Sequence, residues 1–250
     1  MRGKGRAAKR GIGVDPALAR SVHLPSTMLV EMWMTRDPIT ILPSTSIAAA
    51  ALVMARHRIR RLVVVDRQPD GRVVGMVSAG DVARGFPPDL NPASAAVTER
   101  SVPAPVTTIM AHAVQTIGAG TAIDEVARRM RRHKIGALPV LHGERLVGII
   151  TESDVFRAVV EMSDPRTAGV RVTFELGEDE DLLPTITTLC AGLPVRIASC
   201  FSFHHDDPRA GERRLGVARL VGDASEGLLD ALWRSHHRVL AVVPCPSDDQ

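Results

Sequence analysis

The strongest constraint on the fold is an internal duplication. A Gly, two apolar residues, a hydroxyl residue and, three positions further on, an Asp occur at residues 75–81 and again at 148–154. Upstream, Thr40 and Thr116 begin matching stretches that are 76 residues apart, and this offset holds through the following amphipathic segment. A constant offset over many positions is the signature of a repeated structural unit. The chain is therefore predicted to contain two copies of one α/β unit.

Each copy is predicted to contain a short strand, an amphipathic helix, two strands joined by a turn, and a second helix. Apolar residues recur at the helical spacing i, i+3, i+4 and i+7 over 47–54 and again over 123–130. The second helix starts near Asp81 in one copy and near Asp154 in the other. The predicted strands lie at 39–41, 62–65 and 73–77 in the first copy and at 116–117, 138–141 and 146–150 in the second.

The order of elements changes after the repeats. Residues 170–243 are predicted to form a strand, a helix, two strands, a helix and a final strand. This βαββαβ order is typical of the ferredoxin-like fold, an antiparallel sheet with both helices on one face, so the predicted fold class is α/β (α+β). The predicted organisation is a basic, disordered tail at 1–27, the first repeat at 28–86, a Pro-, Ala- and Ser-rich linker at 87–104, the second repeat at 105–162 and a C-terminal domain at 168–245.

The charge distribution argues against nucleic acid as a partner of the folded part. The formal net charge is +3, but residues 1–27 contain six Lys or Arg and one Asp, so the remainder is net acidic. The chain has no Tyr, five Phe and two Trp, which leaves few aromatic platforms for single-stranded nucleic acid. Binding of nucleic acid by the tail stays open as an alternative, and it would be strongly salt-dependent.

The sequence also limits the compartment and the chemistry. No apolar run approaches the roughly 18 to 20 residues that span a bilayer, and no apolar segment follows the basic N-terminus. A cytoplasmic protein without membrane contact is therefore expected. Three cysteines without CxxC spacing are expected to be reduced and mostly buried. The sequence shows no P-loop, no HxxxH motif and no evident nucleophile and base set, so no catalytic residue is assigned.

Two pairs of adjacent histidines raise the question of a metal site. His204-His205 and His236-His237 are both interpreted as strand residues, whose side chains alternate between the two faces of a sheet. Each pair would then offer at most one ligand on each face. No metal site is predicted.

The doubled pattern resembles a tandem pair of CBS domains over residues 28–162, and the segment at 168–245 resembles an ACT domain. This layout is similar to that of the acetoin-utilisation B-type proteins of bacteria. The resemblance implies a non-catalytic regulatory protein whose repeats pack through their sheets and bind an adenosine-type ligand in clefts between them. The ligand would be AMP, ADP, ATP or S-adenosylmethionine, acting as a regulator and not as a catalytic cofactor. A homodimer that relays its ligand state to an unidentified regulated protein is also implied.

The resemblance also assigns roles to individual residues. By the family pattern, Ser78 and Thr151, at the ends of strands, would face the phosphates. Asp81 and Asp154 would accept hydrogen bonds from the ribose hydroxyls. The first strand of each repeat would wall the adenine, through Thr40, Ile41, Thr116 and Ile117. A hydroxyl ahead of a helix start suits a phosphate because backbone N–H groups and the positive end of the helix dipole lie there. The alternative is that each Ser/Thr-x-x-Asp is only a helix cap.

The repeats differ just before the second strand. The first has Arg60 and Arg61, where the second has Gly136 and Ala137. The arginine pair resembles the basic pair in the gamma subunit of AMP-activated protein kinase, and guanidinium groups suit bidentate phosphate binding. We expect the first cleft to prefer a phosphorylated ligand and the other to accept a larger or less charged adenosine compound. The alternatives are that the arginines are solvated surface charges, and that the clefts stay empty in a module that scaffolds a partner protein.

In the C-terminal domain, residues 177–181 form the loop in which ACT domains often hold an amino acid between subunits. Its four acidic residues suit the first turn of a helix and would repel a ligand carboxylate. An oligomerisation domain is therefore favoured over an amino-acid sensor.

Overall fold

A computed structural model describes residues 28–67, 71–87, 92, 97–98, 101–163, 168–207, 211–222 and 227–246. The described residues form three β-sheets, two of them in the repeats and one in the C-terminal domain. The predicted tail at 1–27, Pro69 and Asp70 of the turn predicted at 69–71, and parts of the predicted linker lie outside the described residues.

The two repeats contain the predicted elements in the predicted order. The first has α1 (Val30–Trp33), β1 (Thr35–Arg36), β2 (Thr40–Ile41), α2 (Ile47–His57), β3 (Arg61–Val65), β4 (Val73–Ser78) and α3 (Ala79–Gly85). The second has a short 3-10 helix (Val106–Thr108), β5 (Ile117–Gly118), α4 (Ile123–His133), β6 (Ala137–His142), β7 (Arg145–Thr151) and α5 (Glu152–Met162). The sequence pattern does not predict α1 and β1.

The first long helix of each repeat ends in the same way. The Ser46 hydroxyl caps the start of α2 by accepting a hydrogen bond from the Ala49 N–H at 3.0 Å. Both α2 and α4 stop at a residue in the left-handed conformation, Arg58 at φ 54° and Lys134 at φ 52°. A left-handed residue at this position turns the chain out of the helix. The residues that follow it therefore lie at the entrance to β3 or β6.

The leading segment of each repeat packs on the other repeat. β1 pairs antiparallel with β7, with Thr35 opposite Ile149, and Val30 of α1 is fully buried in the core of the second repeat. In the reverse direction, the backbones of Met76 and Ala111 form an isolated antiparallel bridge. The strand orders are β2-β3-β4 and β1-β7-β6-β5. β1 thus extends the sheet of the second repeat, and a single bridge joins the start of the second repeat to β4 of the first.

The glycines of the duplicated motif make room for this exchange. A Cβ added at Gly148 would lie 2.5 Å from Sδ of Met34 and 3.0 Å from the backbone oxygen of Thr35. A Cβ added at Gly75 would lie 2.5 Å from Sδ of Met110. Met34 and Met110 are separated by the repeat offset of 76 residues. Both motif glycines therefore accommodate the same contact between the repeats.

The two sheets of the repeats face each other, as the resemblance implies. Val63 and Val65 of β3 form one buried apolar cluster with Ala137 of β6 and Ile149 of β7. Burial of such side chains stabilises the contact by removing apolar surface from water. Since the cluster takes residues from both repeats, it joins them into one unit.

The described part of the linker is packed against the first repeat. Val97 and Val102 are buried in the same cluster as the apolar face of α2. The Ile47 N–H at the start of α2 donates to the carbonyl of Ala104 at 2.8 Å. The linker therefore contributes to the core of the first repeat.

The C-terminal domain has the predicted βαββαβ order and the antiparallel sheet of the ferredoxin-like fold. Its elements are β8 (Gly169–Leu176), α6 (Leu182–Leu189), β9 (Val195–Asp207), β10 (Gly211–Gly222), α7 (Gly227–Arg234) and β11 (Val239–Cys245). The sheet order is β11-β8-β10-β9, and every neighbouring pair is antiparallel. Phe174 of β8, Ile186 of α6 and Leu232 of α7 are buried together in the core of this domain.

The loop predicted at 177–181 is present. α6 begins directly after it at Leu182, so the acidic residues precede the first turn of the helix. Pro184 lies in that first turn, and a proline, which has no N–H to donate, is tolerated near a helix start. The acidic side chains therefore belong to the loop between β8 and α6.

The cysteines are free thiols, and all three are partly exposed. Burial raises the pKa of the Cys190 thiol, which keeps it protonated and unreactive. The expected lack of pairing is found, whereas burial is less complete than expected. Among the described helices, none is both long and apolar enough to cross a bilayer.

We expect Gly148→Ala to lower the free energy of unfolding by about 1 to 3 kcal/mol, because the added methyl group would overpack Met34 and the backbone of Thr35. Gly120→Ala is the matched control, since an added Cβ there meets nothing within 4 Å. Urea denaturation followed by circular dichroism measures both changes. Equal stability of the two variants would contradict the proposed packing role of Gly148.

Candidate functional site

A cavity of about 720 Å³ lies between the two repeats, where β4 and β7 end. The first repeat contributes residues 35, 37–39, 58–61 and 79–80, and the second contributes residues 136, 149 and 151–153. The volume is in the usual range for sites that bind small molecules.

Three arginines of the first repeat line this cavity. Arg58 ends α2 in the left-handed conformation, Arg60 follows two residues later, and Arg61 begins β3. Within the described part of the chain, none of the three guanidinium groups makes a hydrogen bond or an ion pair. They are therefore available to an anion that enters the cavity.

Arg61 reaches the second repeat because Gly136 has no side chain. A Cβ added at Gly136 would lie 2.6 Å from Nη2 of Arg61 and 2.9 Å from Oε2 of Glu152. The same backbone hydrogen bond is made beside the cavity in each repeat. The Ala79 N–H donates to the Arg60 carbonyl at 3.0 Å, and the Glu152 N–H donates to the Gly136 carbonyl at 3.2 Å. The cavity thus joins equivalent parts of both repeats.

The cavity lining has more positive than negative side chains, because the three arginines outnumber the carboxylates of Asp37 and Glu152. From the sequence, the arginine pair and Gly136 are expected in two different clefts. In the structure they line the same cavity, since the entrances to β3 and β6 lie side by side. Ala137 is instead buried in the apolar cluster between the sheets.

Three of the predicted ligand-binding residues, Arg60, Arg61 and Thr151, line the cavity. The residues predicted to wall the adenine lie elsewhere: Thr40 is in β2, Thr116 precedes β5, and Ile41 and Ile117 are buried in the cores of the two repeats. The roles of all these residues as ligand contacts stay predictions.

Part of the cavity lining has no counterpart among the predicted residues. Asp37, Pro38 and Ile39 come directly before β2 and lie at the cavity. Asp37 adopts a φ of 47°, which turns the chain between β1 and β2. An Asp-Pro dipeptide is a turn signal, and it is the feature from which this segment could have been located.

Asp81 has the geometry of a helix cap. Its Oδ2 accepts hydrogen bonds from the Ser78 N–H at 2.8 Å and from the Ser78 hydroxyl at 2.6 Å, and the Ser78 Oγ accepts one from the Asp81 N–H at 3.2 Å. The other carboxylate oxygen is paired with Arg84. This reciprocal arrangement is a capping box.

Asp154 repeats the arrangement in the second repeat. Its Oδ2 accepts from the Thr151 N–H at 2.9 Å and from the Thr151 hydroxyl at 2.8 Å. Its Oδ1 accepts from Arg157 at 3.0 Å, and Arg157 also donates to the Trp33 carbonyl at 2.7 Å. Both Ser/Thr-x-x-Asp motifs therefore cap the helices that follow them, which is the alternative that the sequence left open. Arg157 also connects the second motif to α1.

A second polar cluster lies in the C-terminal domain. Glu180 of the β8–α6 loop is within hydrogen-bond distance of His236 at 2.8 Å and of His237 at 3.0 Å. The interpretation of these histidines as strand residues is wrong, because they lie between α7 and β11, where side chains need not alternate between faces. Hydrogen bonds from the Gly177 N–H and from His236 lower the pKa of Glu180 to about 2.

Residues 30–87 and 106–161 match the family model of the CBS domain. The chain therefore contains a tandem pair of CBS domains, as its duplicated sequence implies. The ACT assignment of the C-terminal domain stays a prediction.

Comparison with known proteins gives partial matches. An uncharacterised protein of Methanocaldococcus jannaschii is 32% identical over 162 residues, which cover 63% of this chain and 37% of that relative. The chain spans 37%, 23% and 22% of the lengths of the first three curated relatives that it matches.

Two solved structures are similar over about half of this chain. A Vibrio cholerae protein named for acetoin utilization (AcuB) is 29% identical, with a TM-score of 0.45, over 55% of this chain and 93% of that one. The CBS domain pair of protein MJ0100, solved with 5′-methylthioadenosine and S-adenosyl-L-methionine, is 28% identical, with a TM-score of 0.45, over 53% of this chain and 96% of that one.

We expect Asp154→Ala to lower the free energy of unfolding by about 1 to 2 kcal/mol, because the Thr151 N–H and hydroxyl lose their acceptor. Glu161→Ala, at the exposed end of the same helix, should change stability by less than about 0.5 kcal/mol. Urea denaturation of the two variants and the parent chain makes the comparison. If both variants were as stable as the parent, the capping role of Asp154 would be refuted.

Proposed function

We propose that the CBS pair binds an adenine nucleotide in the cavity between its repeats and that the protein is a non-catalytic, cytoplasmic regulatory sensor. The observation that carries the proposal is the set of three arginines, Arg58, Arg60 and Arg61, at a cavity of about 720 Å³. Among the described residues their guanidinium groups have no partner. A phosphate would satisfy them with charge-assisted, bidentate hydrogen bonds.

The remaining lining suits a nucleoside. Ile39, Ile59 and Pro38 supply apolar surface against which a base can pack, and Thr151 and Ser153 place hydroxyl groups at the same cavity. Ligand sites commonly combine apolar walls with a few polar groups in this way. The base is therefore proposed to lie on the side of residues 38–39 and the phosphate on the side of the arginines.

The family resemblance gives Asp81 and Asp154 the ribose hydroxyls. In each of them Oδ2 is used by the cap, whereas Oδ1 is paired with an exposed arginine, Arg84 or Arg157. Contact with ribose would require that arginine to leave Oδ1 while the cap stays intact. The arginines are exposed, but the side chains of Asp81 and Asp154 are only 21% and 10% exposed, so the ribose hydroxyls would have to replace the hydrogen bonds that the arginines make to Oδ1.

The charge of the cavity favours a phosphorylated ligand. AMP, ADP and ATP carry negative phosphate groups, whereas the sulfonium group of S-adenosylmethionine is positive and would be repelled by Arg58, Arg60 and Arg61. We propose that the phosphate group, more than the base, determines which adenosine compound binds.

The direct test is the double variant Arg60→Ala/Arg61→Ala. Charged hydrogen bonds contribute about 1.5 to 3 kcal/mol each, so we expect affinity for AMP, ADP or ATP to fall by at least about tenfold. Isothermal titration calorimetry measures the loss, and thermal melting with each nucleotide and with S-adenosylmethionine ranks the ligands.

The matched control for this test is Arg131→Ala/Arg132→Ala. It removes the same charge from two exposed residues of α4 that do not line the cavity, and it should leave affinity unchanged. Melting curves of the parent chain that stay flat with all four ligands at millimolar concentration would refute nucleotide binding. Equal loss in both double variants would show that only overall charge matters.

A second feature supports self-association. Phe156, Val159, Val160 and Met162 of α5 are 70%, 50%, 50% and 48% exposed, and the first three recur at the i, i+3, i+4 spacing of one helix face. Exposed apolar groups of this kind mark interaction surfaces. We propose that α5 joins two copies into a homodimer, through which the ligand state is relayed to a regulated protein. If the cavity stays empty, the same face supports the alternative of a scaffold that holds a partner protein.

We expect Phe156→Asp/Val160→Asp to convert a dimer into a monomer, because burying two carboxylates at a contact is strongly unfavourable. Analytical ultracentrifugation measures the mass of each species. The control is Leu183→Asp, which places a carboxylate on a 61% exposed position of the C-terminal domain and should leave the mass unchanged. A dimer that survives in the double variant would exclude α5 as the contact.

A further inference from the structure

We propose that Glu180, His236 and His237 form a binding site for a divalent transition-metal ion, with Zn²⁺ as the reference ion. The site lies in the C-terminal domain and is separate from the cavity of the CBS pair. It does not depend on the proposed nucleotide function.

The geometry of the three side chains is close to that of a ligand set. Nε2 of His236 lies 2.8 Å from one carboxylate oxygen of Glu180, and Nε2 of His237 lies 3.0 Å from the other. All the candidate ligand atoms are within 4.8 Å of one another. In a tetrahedral zinc site with metal–ligand distances of about 2.0 to 2.1 Å, neighbouring ligand atoms are roughly 3.3 Å apart. Small side-chain movements would therefore admit an ion.

The carboxylate of Glu180 is held in place by the fold. Its Oε2 accepts a hydrogen bond from the Gly177 N–H at 2.8 Å. Arg214 of β10 donates to the Glu180 carbonyl at 2.6 Å and so fixes the loop backbone. Hydrogen bonds that orient a ligating carboxylate are typical of the surroundings of metal sites.

The two histidines differ in exposure. The side chain of His237 is 7% exposed, and its ring meets Phe174 edge-on at a centroid distance of 5.6 Å. Its Nδ1 is buried and has no hydrogen-bond partner among the described residues, so the ring is oriented by its packing on Phe174 and by the contact of its Nε2 with Glu180. The side chain of His236 is 79% exposed. The site therefore has two ordered ligands and a third that can close over an ion from the solvent side.

The ligand types and the local charge favour a borderline transition ion. Imidazole nitrogens suit Zn²⁺, Ni²⁺ and Cu²⁺, whereas Mg²⁺ and Ca²⁺ prefer all-oxygen sites. Glu178, Asp179 and Asp181 flank Glu180 in the same loop, and their negative charge favours a cation. Of the nearby arginines, Arg214 donates to the Glu180 carbonyl, and Arg238, next to His237, is paired with Glu175. Three protein ligands leave at least one position for water or another small ligand.

A bound ion would connect two parts of the domain that are distant in sequence. Glu180 belongs to the β8–α6 loop, and the histidines belong to the segment between α7 and β11. An ion that binds only the folded arrangement stabilises it in proportion to occupancy. Metal binding would therefore stabilise the folded C-terminal domain against unfolding.

The test is competition for Zn²⁺ between a chromophoric chelator and the full chain, with any polyhistidine tag removed. We expect one equivalent per chain, and a loss of affinity of at least about 10- to 100-fold in His236→Gln and in Glu180→Gln. His236→Gln changes an exposed side chain, and circular dichroism verifies that it is folded. The visible absorption of a Co²⁺-loaded sample reports low-symmetry coordination and should disappear in His236→Gln.

The matched control is His204→Gln/His205→Gln, which removes the exposed pair on β9 and should keep the full affinity. Equal Zn²⁺ affinity of the parent chain and His236→Gln overturns the proposal, as does loss of the bound equivalent in the control. Nucleotide titrations on the same samples should be unaffected by His236→Gln, which separates this site from the cavity.

Discussion

The exchange of leading segments between the two repeats is the interaction on which the rest of the structure depends. β1 completes the sheet of the second repeat, and the Met76–Ala111 bridge ties the start of the second repeat to the first. The methionines at 34 and 110 fill equivalent spaces above Gly148 and Gly75. Because each repeat supplies part of the other's packing, the two cannot separate without exposing both cores. The cavity is built at this junction.

The same junction decides the chemistry of the cavity. Residues 37–39 follow the exchanged segment and line the same cavity as the arginines at 58, 60 and 61. The second repeat has Lys134, Gly136 and Ala137 at the positions equivalent to those arginines. A symmetric fold thus carries an asymmetric charge distribution. The missing side chain at Gly136 is as important as the arginines, since it leaves the space into which Arg61 extends.

The first role of the Ser/Thr-x-x-Asp motifs is to cap helices. Their carboxylates satisfy N–H groups at the starts of α3 and α5, where the helix has no internal acceptors. This explains why the motif is kept in both copies even though Asp81 and Asp154 do not line the cavity. Any ligand contact they make is added to this structural role. In the C-terminal domain the acidic loop likewise has a local partner, because Glu180 is engaged by the two histidines.

The sequence by itself determined the duplication, the order of strands and helices in both repeats, and the ferredoxin-like order at the C-terminus, because hydrophobic periodicity and turn residues are local signals. It also pointed to Arg60 and Arg61 through their difference from Gly136 and Ala137. Only the tertiary structure decided that Arg61 and Gly136 share one cavity, that β1 belongs to the sheet of the second repeat, and that Glu180 meets His236 and His237. These are contacts between residues far apart in the chain, and they depend on how the sheets pack, which no local pattern encodes.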